Sequence, residues 1–177
     1  MPTQCRAGCN QEETMAHVVQ RCHRTHGGRV LRYNAVVKIV AAGLKSKGWG
    51  VYEELHIRTS LGLRKPDLVC SKDETIVVLH AQVVSGQGMQ RAYEDKKNYY
   101  NMDEIMDWVK NRFNPEATVT RTEAVTVNWK GVWLKDSMDA LLSMGLSIQT
   151  LRGVTTRVLQ GSHTNWTRYN QMTGRVP

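Results

Sequence analysis

The nine residues from Ile76 to Val84 read Ile-Val-Val-Leu-His-Ala-Gln-Val-Val, an almost unbroken apolar run rich in β-branched side chains. Apolar groups at both odd and even positions mean that a strand here must be covered on both faces. Such a strand needs neighbouring strands beside it and helices above and below, and the flanking sequence supplies them. A helical pattern spans about residues 29–47, with Val36, Ile39, Val40 and Leu44 at helical spacing, and Gly48-Trp49-Gly50 ends it. Val51, Glu53, Leu55 and Ile57 alternate as a first strand, and a turn at Gly62 leads into a short second strand through Leu68 and Val69. After Ser85-Gly86-Gln87-Gly88, one long helix is expected over residues 89–113, with Tyr99, Met102, Met106, Val109 and Phe113 as its core stripe. Residues 117–129 alternate as a fourth strand, residues 136–144 suggest a short helix, and residues 147–171 read as mixed helix and loop. The order α-β-β-β-α-β-α predicts an α/β fold, a small mixed β-sheet flanked by helices. Gly86-x-Gly88 is too little for a nucleotide loop, and neither a Walker motif nor a nucleophile elbow is present.

Charge narrows the partners. Lys and Arg number 24 against 16 Asp and Glu, a formal net charge of +8 over 177 residues, so polyanions are the natural partners, nucleic acid ahead of an acidic membrane. No apolar stretch approaches the ~20 residues of a membrane span, and the polar start Pro2-Thr3-Gln4-Cys5 is no signal peptide. Three of the four cysteines crowd into the first 22 residues, unlike the spread of a secreted disulfide scaffold, so a reducing cytosol or nucleus is expected.

Those cysteines fall in the pattern Cys5-x3-Cys9-x7-His17-x4-Cys22. Two closely spaced pairs of thiolate and imidazole ligands let a short chain wrap one tetrahedral Zn²⁺, and this is the spacing of a CCHC zinc knuckle with one extra residue in the first gap. A segment this short has no core of its own, so the metal would supply its folding energy. Free thiols beside a surface histidine, or His23 or His26 as the fourth ligand, are the competing accounts. Residues 1–27 are read as knuckle and linker, and residues 28–177 as the main domain. Arginines around the site lead to the hypothesis that the knuckle touches nucleic acid.

Arg64-Lys65-Pro66-Asp67 stands at the mouth of the second strand. Metal-dependent nucleases hold Mg²⁺ on hard oxygen ligands to polarise a phosphate and acidify the attacking water, with a lysine stabilising the developing charge. Many do so with Pro-Asp on one strand and Asp/Glu-x-Lys on the next, because residues two apart on a strand share a face. Here His80-Ala81-Gln82 occupies that second position and fits neither residue type. Lys96 and Tyr100, four apart on the following helix, share one face and offer a substitute lysine. Pro-Asp alone is most often a turn, and a histidine in a buried strand is most often a core residue. The residues by themselves thus reach a basic, zinc-binding α/β protein that is a possible nuclease.

Longer blocks go further. Cys22-His-Arg-Thr-His-Gly-Gly-Arg-Val-Leu-Arg-Tyr-Asn34, Arg58-Thr-Ser-Leu-Gly-Leu-Arg-Lys-Pro-Asp67, Gln82-Val-Val-Ser-Gly-Gln87, Asn128-Trp-Lys-Gly-Val-Trp133 and Gly161-Ser-His-Thr-Asn-Trp-Thr-Arg-Tyr-Asn-Gln-Met-Thr173 resemble the C-terminal region of site-specific non-LTR retrotransposon proteins that insert into ribosomal RNA genes. The resemblance covers essentially the whole chain. It implies a CCHC knuckle joined to a restriction-like endonuclease of the PD-(D/E)xK type, with Zn²⁺ structural and Mg²⁺ or Mn²⁺ catalytic. It also implies that the domain nicks one strand of double-stranded ribosomal DNA in the nucleus, so that a reverse transcriptase elsewhere in the polyprotein can prime on the new end. Element RNA is a further partner it implies. The chain would then be an excised C-terminal fragment with Met1-Pro2 as an appended start.

In that family the lysine lies on the helix after the catalytic strand, which matches Lys96 and Tyr100. The second metal-binding acid, an Asp, falls on His80, and imidazole suits Mg²⁺ poorly. The change is engineered, or the copy is naturally degenerate, or another carboxylate among Glu53, Glu54, Asp73 and Glu74 completes the site; the first two are favoured. The chain is therefore expected to bind DNA and cut it feebly, with a catalytically silent nucleic-acid-binding module as the alternative. Arg24, His26, Arg29, Arg32, Arg64 and Lys65 are the expected DNA contacts. His163, Trp166, Arg168 and Tyr169 suit either stacking on bases or packing over the core.

Overall fold

The computed structural model describes residues 3–174, so the reading of Met1-Pro2 lies outside the described residues. Its elements are α1 (Met15–Gln20), α2 (His26–Lys45), β1 (Gly50–Glu53), β2 (Ile57–Thr59), β3 (Gly62–Arg64), β4 (Leu68–Lys72), β5 (Thr75–Val84), α3 (Met89–Tyr100), α4 (Asp103–Phe113), β6 (Val119–Asn128), α5 (Lys135–Ser143) and α6 (Ile148–Met172). A four-stranded mixed sheet has the order β1-β4-β5-β6, and β2 pairs with β3 as a separate hairpin. β4 is antiparallel to β1 and to β5, whereas β6 runs parallel to β5 after the crossover through α3 and α4.

β5 is the buried strand its sequence demands. Val77, Leu79 and Ala81 pack with Val40, Leu44, Leu151 and Val154 on one face of the sheet, and Ile76 and Val78 pack with Tyr100, Ile105 and Val109 on the other. The alternation is the period-two geometry of a strand serving two cores. β4 divides in the same way, Leu68 and Cys70 toward the first core and Val69 toward the second.

Four expectations change. The first alternating stretch is interrupted, because Glu54 takes the left-handed φ of 56° and separates β1 from the β2–β3 hairpin. The single helix over residues 89–113 is two, since Asn101 and Met102 leave helical geometry. Asp103 and Glu104 then complement the amino end of α4. The proposed five-residue stripe therefore does not lie on one helix, and Tyr99 is 48% exposed. Residues 147–171, read as mixed helix and loop, fall in one 25-residue helix, capped by Ser147 accepting from Thr150 N. Its buried stripe runs Leu151, Val154, Val158, Ser162, Asn165, Tyr169, and the polar members in the second half disguise the periodicity.

α2 and α6 cross closely where glycines remove the side chain from the contact. A Cβ at Gly161 would meet Arg32 Cγ at 2.7 Å, and one at Gly28 would meet Asn165 Oδ1 at 1.8 Å. Leu79 tests the two-sided core: Leu79→Ala is expected to cost about 2–5 kcal/mol of unfolding free energy in urea titration, and a loss below about 1 kcal/mol would contradict the burial of β5.

Candidate functional site

Two clusters carry chemistry. In the first, an antiparallel bridge between Gln4 and Glu12 folds the segment back on itself, with Cys5 N donating to Gln11 O at 2.8 Å and Gly8 N to Cys5 O at 2.9 Å. Thr14 caps α1 by accepting from His17 N at 3.0 Å, which turns His17 inward. One ligand atom from each of Cys5, Cys9, His17 and Cys22 lies within 4.8 Å of the others, the one such cluster of three or more among the described residues. His17 is 2% exposed and neither ring nitrogen has a hydrogen-bond partner, an orphaned imidazole that a metal bond would satisfy. These residues fit Zn²⁺. Burial raises the Cys5 thiol, but the neighbouring Tyr169 hydroxyl, the Ala7 and Cys9 backbone and the nearby His17 ring outweigh it and hold it down at about 6. Cys22 is pushed up to about 11 by burial. Of the competing fourth ligands, His23 Nδ1 reaches Cys9 Sγ at 3.2 Å but stays outside the cluster, and His26 is exposed on α2.

The knuckle is fastened to the end of α6. Tyr169 is fully buried, donates its hydroxyl to Glu13 Oε2 at 2.6 Å and lies 3.2 Å from Cys5 Sγ. Arg6 pairs with Glu13 at 2.9 Å and donates to Asn170 Oδ1 at 2.8 Å. Arg6 holds Glu13 down at about 2, well below the usual carboxylate range.

The second cluster arises from strand register. Leu68 pairs with Leu79, so Asp67 and His80, one step further along, face each other across β4 and β5 on the side that α3 covers. His80 Nδ1 lies 3.1 Å from Asp67 Oδ2 without the alignment of a hydrogen bond. Asp67 Oδ2 instead accepts from Ala81 N at 2.7 Å, and Oδ1 accepts from the Tyr33 hydroxyl. Tyr100 stacks on His80 with ring centroids 5.0 Å apart and donates to Lys65 O at 2.9 Å. Burial pushes Asp67 up, offset by Tyr33, Ala81 N and Lys96; burial pushes Lys96 down, offset by Asp67. His80 is driven down to about 3 by burial and then by the Lys96 charge, so its imidazole is neutral. The fold thus brings Asp67, His80, Lys96 and Tyr100 together, with Tyr33 beside them. Tyr33 was hidden because only its place on α2 beside the β4 entrance distinguishes it from any core tyrosine.

Beside Asp67 opens a 430 Å³ cavity lined by Tyr33, Asn34, Lys38, Glu54, His56 and Lys65, among others. Glu53 also borders it but is paired with Lys45 at 2.7 Å. Asp73 and Glu74 sit in the β4–β5 turn, about 17 Å from Asp67 by strand rise, so they do not complete the site. Asp67, with both oxygens engaged and a neutral imidazole beside it, is by itself a poor seat for Mg²⁺, and of the alternative carboxylates Glu54 alone lines the cavity without a salt bridge among the described residues.

Three of the six expected DNA contacts need correction. Arg32 is 4% exposed, donating to Ser162 Oγ at 2.7 Å and to Gln20 Oε1, and burial pulls its guanidinium down to about 10. Arg29 donates to the backbone carbonyls of Gln20 and Cys22. Arg64 is 8% exposed, donates to Leu61 O at 3.1 Å and lies 4.3 Å over the Tyr99 ring. All three are committed to holding elements together. Arg24, His26 and Lys65 are exposed. Of the ambiguous C-terminal set, Tyr169 packs into the knuckle core with Trp166 against it, while His163 and Arg168 face outward.

No protein-family model matches the chain. Among curated proteins it is similar to the retrovirus-related Pol polyprotein from type-1 retrotransposable element R2 of Nasonia vitripennis, 40% identical over 97% of this chain. It is 36% identical over 97% of its length to the corresponding R2 polyprotein of Bradysia coprophila, and 36% identical over 85% to that of type-2 retrotransposable element R2DM of Drosophila melanogaster. The chain spans 17%, 20% and 15% of those three proteins, about a fifth or less of each. A solved structure of a protein of unknown function aligns at 11% identity and a TM-score of 0.30 over 80% of this chain and 99% of its own, too weak to carry an argument.

Two measurements test the clusters. The chain is expected to carry one Zn²⁺ by metal analysis, and its removal with a chelator to strip hydrogen-exchange protection from Trp166 and Tyr169 while β5 stays protected; undiminished protection at Tyr169 would separate the metal from the docking. His80 has a folded pKa near 3 against an ordinary value of 6.5. In that window the unfolded chain binds the extra proton, so the stability present above 6.5 is lost as pH falls toward 3. Relative to His80→Asn, which shares the knuckle's own acid lability, the wild type should lose stability with a slope approaching one proton. Parallel curves would mean that His80 is not held neutral.

Proposed function

We propose, from the chain's homology to a segment of the R2 retrotransposon Pol polyproteins, that it is a divalent-metal-dependent, target-DNA-nicking domain of restriction-endonuclease type whose activity is impaired at His80. The observation that carries this is the juxtaposition of Asp67 and His80 across two strands with Lys96 and Tyr100 on the helix that follows. In a PD-(D/E)xK site a second carboxylate at position 80 would complete a hard-oxygen seat for Mg²⁺ or Mn²⁺, and Lys96 would meet the charge that develops on the phosphate. With imidazole there, no cleavage step is assigned to this chain. Its own residues would do the rest: Lys65 neutralises a phosphate approaching the cavity, Tyr33 orients the Asp67 carboxylate, and Tyr100 fixes both the Lys65 backbone and the ring at position 80.

The silent nucleic-acid-binding module is the second reading. It is favoured by the way Tyr33 and Ala81 N already satisfy Asp67. In either case the division into a knuckle (residues 1–27) and an endonuclease-like unit (28–177) is retained, with Zn²⁺ as the structural ion. Double-stranded ribosomal DNA and element RNA are the proposed partners, together with the reverse transcriptase of the same polyprotein, and the nucleus is the proposed place of work. No helix among the described residues is long and apolar enough to cross a membrane.

On a ribosomal-DNA target duplex with Mg²⁺ or Mn²⁺, His80→Asp is expected to raise nicking by about two orders of magnitude or more, and Asp67→Ala to abolish the gain. A His80→Asp protein no more active than its parent sinks the endonuclease assignment.

A further inference from the structure

α2 follows directly on a 3-10 turn, His23–Thr25, in which His26 N donates to His23 O, and no side chain caps it. Thr25 stands at the N-cap position, yet its hydroxyl donates to Val18 O and Cys22 O, and no acidic residue occupies the first turn. The positive end of a 20-residue helix is therefore left uncompensated by its own sequence. A 450 Å³ cavity opens at this end between α2 and α6, lined by Arg24, Gly27, Gly28, Leu31, Asn165 and Arg168 among others, and none of its lining residues is acidic. A second cavity, also lined by Gly28, Leu31, Asn165 and Arg168 and again free of acidic residues, extends it along the helix pair.

Asn165 supplies the independent clue. It is 2% exposed, it lines both cavities, and its Nδ2 amide donor has no hydrogen-bond partner. A buried donor left unsatisfied is costly and calls for an acceptor. Asn165 sits against bare backbone, since a side chain at position 28 would collide with it. Arg24 and Arg168 are exposed at the rim and make no ion pair among the described residues.

We propose that this cavity seats a phosphodiester of the nucleic-acid backbone. Asn165 Nδ2 and the N–H groups of Gly27 and Gly28 donate to its non-bridging oxygens, and Arg24 and Arg168 neutralise the charge. The assignment rests on the DNA-binding reading and extends it from a general basic surface to one built seat. Tyr33 lies five residues beyond Gly28, about 7.5 Å along the helix axis, and its hydroxyl holds Asp67. Five residues also turn the helix by about 140°, so the seat on the α6 side and the Asp67 cavity lie on different faces of α2, and a backbone engaging both would pass around the start of that helix. Such a contact fixes register and carries no sequence information.

The test compares wild type with Arg168→Ala and Asn165→Asp in fluorescence-anisotropy titrations, using a ribosomal-DNA duplex and an unrelated duplex over a range of KCl, with thermal melts as the folding control. Arg168→Ala, at an exposed position, is expected to weaken both duplexes by the same factor and to lower the slope of log K against log salt by about one. Asn165→Asp, which puts a carboxylate against the phosphate, is expected to weaken binding at least as much. In amide-resolved NMR, Gly27, Gly28 and the Asn165 side chain should shift on adding duplex.

An Arg168→Ala protein with unchanged affinity and slope overturns the seat. Shifts with millimolar inorganic phosphate but none with duplex make it a free-anion site and overturn the phosphodiester assignment. Wild-type protein that binds no duplex at any salt overturns the DNA-binding reading itself, and the phosphodiester assignment with it, a result distinct from normal binding indifferent to Arg168.

Discussion

One buried guanidinium ties the molecule together. Arg32 has no carboxylate partner among the described residues and is satisfied by neutral groups: Ser162 Oγ on α6 and Gln20 Oε1 at the end of α1. Each of those groups reaches on to the sheet side, Ser162 donating to Trp129 O just past the end of β6 at 2.9 Å and Gln20 to Val83 O on β5 at 2.9 Å. A desolvated charge that loses a partner costs several kcal/mol. The knuckle helix, the two long helices and the carboxyl ends of β5 and β6 therefore share one buried charge whose partners come from all of them. Gly161 is part of the same arrangement, because any side chain there would displace Arg32.

That rigidity shapes the chemistry at Asp67. The carboxylate is positioned by β4, opposed by β5, held from α2 by Tyr33 and overlooked from α3 by Lys96 and Tyr100. Four elements converge on a group that burial makes reluctant to ionise. A second carboxylate in so dry a place would be tolerable only with a cation between the two. An imidazole at position 80 makes no such demand: burial keeps it neutral, and it stacks on Tyr100.

The central strand, the first helix and the Cys/His quartet were legible in the sequence because each depends on a local signal: continuous apolarity, helical spacing, ligand spacing. The break at Asn101 escaped because apolar periodicity carries across it, and only the acidic pair Asp103 and Glu104 marks a new amino terminus. α6 was half lost for the opposite reason. Ser162 and Asn165 occupy buried positions as polar groups serving long-range partners or a cavity, so the stripe looks hydrophilic until those are known. Arginines were the least legible residues. Arg24, Arg29 and Arg32 are alike in sequence, yet the first faces outward, the second closes carbonyls at the end of α1, and the third is buried. For Arg32 the deciding partner, Ser162, lies 130 positions away, beyond the reach of local pattern.

The contact between the knuckle and the end of α6 has a topological consequence. Arg6 Nη1 reaches Thr173 O at 3.4 Å, so the first and last described stretches of chain lie side by side. A longer polypeptide containing this unit would enter and leave at one point, as a bead pinched off a string rather than a link within it. Such a unit can be lifted out of, or set into, a larger protein with little rearrangement of its surroundings. The Cys/His turn at its neck would then act as a clasp that closes this point.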